Sequence, residues 1–400
     1  MTRATRRTRR LAAAAAGIAA ACALALPAAA QASAGDYTPN PHQWYFSSWN
    51  IQQEVWPVTQ GAGVTVAVID SGVQARLPDL QGAVVSGGDM VTGSGNGEQD
   101  YAPNGGHGTL MAELIAGQGT GSSQFGNAPV GIAPQAKILP VHAIYPSTND
   151  PAPVAESIKY AADHGADVIN LSLGGTVASP TSCDPSLQQA VGYALARNVV
   201  VVAASGDANK SGPGPTEPAS CAGVLAVGGV EPDGSLWPDS VQGPNVSVAG
   251  PGDQIYVTSD TGEQSSIASS GTSGASALVA GAAALIRSKY PSMPWYTVDQ
   301  RLIGTAVATG PVPSNGTGYG IININKALDV SQYPVSSAAP DPPYATYQAW
   351  LKSTGQTAPA TASSSHGAGV LIAIVVAVIV VLLIAAAVII AVARSRARRG

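Results

Sequence analysis

Asp70, His107 and Ser273 are far apart in the chain, yet each stands in a setting suited to acyl transfer. Ser273 lies in Ser269-Ser270-Gly271-Thr272-Ser273-Gly274-Ala275-Ser276, directly ahead of a small and apolar run from Ala277 to Ile286. Such a run predicts a buried helix whose N-terminal N–H groups point at the serine and at any anion beside it. The plainer role for Thr272 or Ser273 is to cap an orphan N–H of that helix. The surroundings do not fit the Gly-x-Ser-x-Gly nucleophile elbow, because Ala275 stands where its second glycine belongs.

The chain holds only five histidines, so each can be weighed separately. His366 belongs to a Pro/Ser/Ala-rich stretch, His42 to the N-terminal segment, His142 to the end of an apolar strand and His164 to a helix C-terminus, where a capping role suits it. His107 differs. It sits in Gly105-Gly106-His107-Gly108-Thr109 before the apolar helix Leu110 to Ala116, and the flanking glycines allow backbone to approach the ring closely. A serine is a poor nucleophile at neutral pH without a base in hydrogen-bond reach, and the base needs a buried acid to hold its tautomer. Asp70, placed after the apolar run Val64 to Ile69, completes such a set.

These residues must be held by a scaffold. Short β-branched runs at Val64 to Ile69, Ile138 to His142, Val168 to Leu171, Val199 to Ala203 and Val224 to Val227 lack in/out alternation, which suits strands of a parallel sheet buried on both faces. Helical patterns at Leu110 to Ala116, Val154 to His164 and Leu187 to Arg197 fall between them, the last two ending at Gly165 and Asn198 as left-handed caps would. Alternation of strand and helix predicts an α/β domain with a doubly wound parallel sheet and helices on both faces. In such sheets function gathers at the carboxyl ends of the strands. Asp70-Ser71-Gly72, Ser172-Leu173-Gly174-Gly175 and Ser205-Gly206-Asp207 all leave those ends.

The order Asp, His, Ser is that of subtilisin. Val66-Ala67-Val68-Ile69-Asp70-Ser71-Gly72-Val73, Gly106-His107-Gly108-Thr109 and Gly271-Thr272-Ser273-Gly274-Ala275-Ser276 with Val279-Ala280-Gly281 resemble the three signature blocks of subtilisin-like serine proteases. Gly131-Ile132-Ala133-Pro134 and Val168-Ile169-Asn170-Leu171-Ser172-Leu173-Gly174-Gly175 are similar to two further segments, and together the blocks span about Gly61 to Ser331. Within that family, Gln43-Trp44-Tyr45, one candidate bridge, a Pro-rich stalk and a C-terminal apolar span with a basic tail resemble the mycosins, membrane-anchored proteases of actinobacterial type VII secretion systems.

The resemblance implies that Ser273 is the nucleophile, His107 the general base and then acid, and Asp70 its orienting partner. It implies that the edge at Ser172, Leu173 and Gly174 pairs with an extended substrate backbone. Ala203, Ala204, Ser205 and Gly206 would line the pocket for the residue before the scissile bond. Where the family ends its turn Gly-Asn, with the Asn donating to the oxyanion, this chain has Gly206-Asp207. An ionised carboxylate there would repel the developing charge, so the expectation is a protonated Asp207 acting with the Ser273 backbone N–H, or Asn209 in its place if the loop is shifted. Gly274 and Ala277 replace bulkier family residues, and Leu77-Pro78-Asp79-Leu80 replaces the usual His-Pro-Asp-Leu.

The two ends predict a membrane protein. Residues 1–34 run from Arg3, Arg6, Arg7, Arg9 and Arg10 through an apolar stretch to Ala32-Ser33-Ala34, the pattern of a secretory signal peptide. Residues 367–393 carry no charge in 27 positions, more than the roughly 20 that cross hydrocarbon. The basic residues of 394–400 place that end in the cytoplasm and the catalytic domain outside. Between them the expected parts are an N-terminal extension at 35–60 that packs on the catalytic domain, a peptidase domain at 61–332 and a Pro/Ser/Ala-rich linker at 333–366.

Once Cys22 leaves with the leader, Cys183 and Cys221 are the only thiols of an oxidising compartment, and one bridge between them is expected. On the chain-entropy account it contributes about 4 kcal/mol. Setting aside the two basic ends leaves 10 Lys and Arg against 24 Asp and Glu, which argues against a nucleic acid partner. No acidic loop has calcium-ligand spacing, and the glycines from Gly117 to Gly121 follow a helix instead of joining strand to helix, so no metal or cofactor is expected. The expected partners are a protein or peptide substrate, the membrane through the C-terminal helix, and subunits of a membrane secretion complex. The competing expectation is a weakly active or inactive protease fold serving as a structural subunit of that complex.

Overall fold

The computed structural model describes residues 35–102, 106–123, 125–144, 151–259, 261, 265–336 and 339–356. The expected signal peptide, transmembrane span and basic tail lie outside the described residues. Among the described residues no helix is long and apolar enough to cross a membrane.

In chain order the principal strands are β1 (Thr65–Asp70), β2 (Gly88–Asp89), β3 (Lys137–His142), β4 (Val168–Leu171), β5 (Val200–Ala204), β6 (Leu225–Val230) and β7 (Val246–Pro251). The principal helices are α1 (His107–Ala116), α2 (Ala152–Asp163), α3 (Pro185–Ala196), α4 (Thr272–Lys289), α5 (Trp295–Gly304) and α6 (Pro342–Thr354). The strands form one parallel sheet in the order β7-β6-β5-β4-β1-β3-β2. After β1 the chain builds β2 and β3 on one side of it, then returns to build β4 to β7 on the other. The order therefore reverses at β1, and its carboxyl end opens on the crevice where ligands of such sheets bind.

Val66 to Ile69, Val168, Ile169 and Val200 to Ala203 are shut off from solvent, as strands covered on both faces must be. Helices α1 and α4 pack as one pair and α2 and α3 as another. α2 ends ahead of Gly165 (φ 82°) and α3 ahead of Asn198 (φ 64°), both left-handed. Every residue from Gly274 to Arg287 in α4 is buried. Small residues permit this approach: a methyl group on Gly281 would lie 2.7 Å from Ile132 Cγ1.

Two sheet members are not evident in the sequence. β2 is only two residues long, and β7 ends in Gly250-Pro251, which reads as a turn. β7 lies at the sheet edge, where proline is tolerated.

Residues 36–60 lie against this body. Tyr45, Phe46, Ile51, Val55 and Trp56 are buried in the core. Trp56 Nε1 donates to the Ile132 carbonyl at 2.9 Å, and Gln43 Nε2 to that of Val130 at 2.7 Å.

The stretch read as a linker from 333 is not all extended chain. Asp341 caps α6 by accepting from the Tyr344 N–H at 3.1 Å, with Pro342 and Pro343 in the first turn. Pro343, Tyr347 and Leu351 recur every fourth residue and are buried. Tyr344 and Tyr347 meet Trp295 and Tyr296 of α5, and the Trp350 ring sits where a methyl on Gly192 of α3 would be. The apolar period is present, but its members are Pro, Tyr and Leu in a Pro/Ser/Ala-rich setting that hides it. Cys183, just before α3, and Cys221, just before β6, are joined as a disulfide with Cα atoms 5.0 Å apart.

Candidate active site

β1 delivers Asp70 to the rim, where its side chain is wholly buried. The imidazole of His107, the first residue of α1, faces it with Nδ1 2.8 Å from Oδ1 and 3.0 Å from Oδ2. Asp70 Oδ1 also accepts the Ser71 N–H at 2.8 Å. Gly108 makes this meeting possible, because a methyl there would lie 2.1 Å from the Gly72 carbonyl oxygen and 3.0 Å from Asp70 Cβ. The His107 side chain keeps 39% of its exposure, so one edge is bound to the acid and the other is open. Burial lowers its pKa, but the charge of Asp70 and its hydrogen bond outweigh that, and the ring sits above its ordinary value while Lys210 opposes the rise.

A further acid, not anticipated from the sequence, braces this pair. Asp100 is buried and accepts through Oδ2 from the Thr109 N–H (2.8 Å) and Thr109 Oγ1 (2.6 Å). Through Oδ1 it accepts from Ser71 Oγ (2.8 Å) and the Ala102 N–H (2.9 Å). Burial raises its pKa against these bonds. Asp100 thus ties the start of α1 to the residue after Asp70, fixing the imidazole and its acid to one frame. Its proximity to Gly106-His107-Gly108-Thr109 in sequence is the only available signal.

Ser273 is the second residue of α4. Its Oγ donates to the Ser172 carbonyl at 3.2 Å, and Ser172 Oγ returns a bond to the Ser273 carbonyl at 2.8 Å. Asn170 Nδ2 donates to Ser172 Oγ, and Ser276 Oγ donates to Asn170 Oδ1. The end of β4 is thereby stapled to the first turn of α4. His107 and Ser273 open on one cleft of about 450 Å³, with no direct hydrogen bond between them. Contacts of this kind are often long in free enzymes and tighten when substrate binds.

The same cleft is lined by Ser172, Leu173, Gly174, Ala204, Gly206 and Asp207. The sequence places Ala203 and Ser205 there as well, and the structure corrects this: Ala203 is wholly buried in the sheet and Ser205 is 1% exposed. Alternate residues of β5 face opposite sides, so Ala204 reaches the cleft and Ala203 does not, and past the strand end Gly206 and Asp207 line it while Ser205 is buried. Thr216 and Glu217, which pair with Gly175 and Thr176, form a wall that the sequence does not reveal. A smaller cavity of about 240 Å³ beside Trp44 and Trp49 carries Glu231 and Asp233 but no imidazole.

Asp207 also departs from expectation. Its Oδ1 accepts from the Thr272 N–H and from Thr272 Oγ1, both at 2.8 Å, and its Oδ2 is paired with Lys210 Nζ at 2.7 Å. Every partner is a donor and one is a cation, which fits an ionised carboxylate and leaves a protonated, donating Asp207 without support. Asn209 is no substitute, since its amide donates to Asp239 Oδ2 at 2.8 Å. Among the described residues no group of three His, Cys, Asp or Glu side chains is placed to hold a metal ion.

Comparison with known proteins bears on this geometry. The subtilase family, peptidase S8, matches residues 61–320. Thermitase of Thermoactinomyces vulgaris is 40% identical over 262 residues, covering 63% of this chain and 86% of that protein. Mycosin-1 of Mycobacterium tuberculosis (strain ATCC 25618 / H37Rv) is 34% identical over 332 residues, 70% of this chain and 72% of the relative. Among solved structures, the MycP3 protease from the type VII (ESX-3) secretion system is 32% identical with a TM-score of 0.62, covering 75% of this chain and 90% of that one.

Proposed function

Because the chain belongs to the subtilase family of serine peptidases and is related to the mycosins, we propose that it is a membrane-anchored extracytoplasmic endopeptidase using Ser273, His107 and Asp70. One observation carries the reading: a buried carboxylate holds one edge of an imidazole whose other edge opens on the cleft that contains Ser273. In the acylation step Ser273 Oγ attacks the peptide carbonyl carbon while His107 Nε2 takes the hydroxyl proton. His107 then gives that proton to the leaving amine as the C–N bond breaks. Water, deprotonated by the same nitrogen, hydrolyses the acyl ester and restores the serine. Asp70 keeps the Nδ1 proton in place and stabilises the imidazolium without becoming protonated.

An extended substrate backbone lies along Ser172 to Gly174, and the side chain before the scissile bond enters between Ala204, Gly206 and the Thr216 wall. The anchor is residues 367–393, outside the described part. Association with a type VII secretion system is supported by the similar MycP3 protease, which comes from such a system.

A second reading, a docking subunit with little catalysis, draws on the carboxylate of Asp207 at the rim of the cleft. Fluorophosphonate labelling of the detergent-solubilised full chain separates the two. The protease reading expects label on wild type and none on Ser273→Ala; equal absence of label on both would leave only the docking role.

A further inference from the structure

The turn that leads from β5 into the cleft presents a problem of charge. Acyl transfer places a negative oxygen beside the first turn of α4, and the Asp207 carboxylate lies in that neighbourhood: a methyl on Gly271 would sit 3.0 Å from Asp207 Oδ2. Several donors around the turn are already engaged. The Gly206 N–H donates to Thr272 Oγ1 at 3.0 Å, the Thr272 N–H and hydroxyl donate to Asp207, and the Asn209 amide donates to Asp239. Ser273 N–H lies in the first turn of α4, where a helix leaves its N–H groups without an intrahelical acceptor.

Lys210 supplies what is lacking. Its ammonium is held by Asp207 Oδ2 at 2.7 Å, and its Nζ lies 3.7 Å from the same methyl position on Gly271, two residues from the nucleophile. It lines the cleft together with His107, Thr272 and Ser273, and its side chain remains 66% exposed. An ammonium has three N–H donors, so one bond to Asp207 leaves two for the cleft.

We propose that Lys210, aimed by Asp207, is a catalytic residue that donates to the oxyanion together with the Ser273 backbone N–H. Asp207 is then a positioning residue: its negative charge is offset by the cation it holds, and it orients the donor instead of being one. His107 is independently sensitive to this cation, whose charge lowers the imidazole pKa against the pull of Asp70. The assignment rests on the protease reading above, since without acyl transfer there is no oxyanion to bind.

The test is the second-order rate of fluorophosphonate labelling on the full chain, because phosphonylation of serine develops the same negative oxygen. Lys210→Met is expected to slow labelling about 10²-fold, the scale of losing one oxyanion donor. Lys210→Arg, which keeps a charged donor, is expected to stay within about tenfold of wild type. The double variant Asp207→Asn with Lys210→Met is expected to label faster than Lys210→Met alone, because an amide can keep the Thr272 bond through its oxygen and donate through its nitrogen. Lys210→Met labelling as fast as a labelled wild type, or Lys210→Arg falling as far as Lys210→Met, would overturn the role of Lys210 and leave the protease reading standing. A wild type that takes no label overturns that reading and this one with it.

Discussion

Replacing Asp70 by asparagine changes one buried atom, and its consequence follows from the hydrogen bonds around it. Oδ1 accepts the Ser71 N–H at 2.8 Å, so the amide oxygen of the Asp70→Asn variant must keep that position. The NH2 group then takes the place of Oδ2, 3.0 Å from His107 Nδ1, and donates to it. Oδ1 also stands 2.8 Å from Nδ1, so the amide oxygen still competes for the Nδ1 proton, but the new donor favours the tautomer protonated on Nε2, in which the ring cannot accept from Ser273. Turning the amide over would restore the tautomer but would set two donors, NH2 and the Ser71 N–H, against each other in a site with no solvent access. The expected loss in acylation is about 10⁴-fold, which at about 1.36 kcal/mol per factor of ten is about 5.4 kcal/mol. Folding should be little affected, since the side chain keeps its shape. Labelling rates of purified Asp70→Asn and wild type, measured from about pH 5 to about pH 9 to bracket the imidazole titration, are the assay. In wild type the acid limb should lie above the ordinary imidazole value of 6.5, because Asp70 holds His107 up; in the variant it should move down. An Asp70→Asn enzyme that labels within tenfold of wild type, with an unmoved acid limb, would refute the role given to this carboxylate.

Four other outcomes are expected. Gly108→Ala should cost about 1–3 kcal/mol in denaturant unfolding and depress labelling, because its methyl meets the Gly72 carbonyl at 2.1 Å; an unchanged midpoint would count against the close approach. Burial raises Asp79 to about 7 and holds the neighbouring Glu113 well above its usual range, so the folded protein keeps protons that the unfolded chain releases near pH 4. Their contribution is intact below that pH and is lost as pH rises toward 7, so Asp79→Asn should raise the melting midpoint at about pH 8 far more than at about pH 4, and equal shifts at the two would contradict this sign. Chelator should leave the melting curve unaltered, and a lower midpoint would reveal a metal site. A chain ended after Gln356 should appear in the medium instead of the membrane fraction on cell fractionation, and retention in membranes would argue against an anchor at 367–393.

The sheet is legible in the sequence to within a residue or two at β1, β3, β4, β5 and the start of β6. Strands covered on both faces read as largely apolar runs without alternation, and Ser71-Gly72, Gly174-Gly175 and Ser205-Gly206 mark the ends of β1, β4 and β5. α1 begins three residues ahead of its apolar run, since Gly106-His107-Gly108-Thr109 reads as a loop although His107 already starts the helix. The edge strand β7 and the helix α6 escape notice because proline and tyrosine blur patterns that packing then makes plain.

What the sequence determined by itself was therefore local: which stretches are apolar enough to be buried, where each must turn, and that Asp70, His107 and Ser273 stand at element ends. These depend on the properties of neighbouring residues. The tertiary structure alone decided which groups share those ends. The braces from Asp100, the parity that sends Ala204 inward to the cleft and Ala203 away, and the pairing of Asp207 with Thr272 and Lys210 were not legible from residue types. A carboxylate's role depends on the donors that surround it, and here one of them comes from three residues away and the other from a helix 65 residues further on.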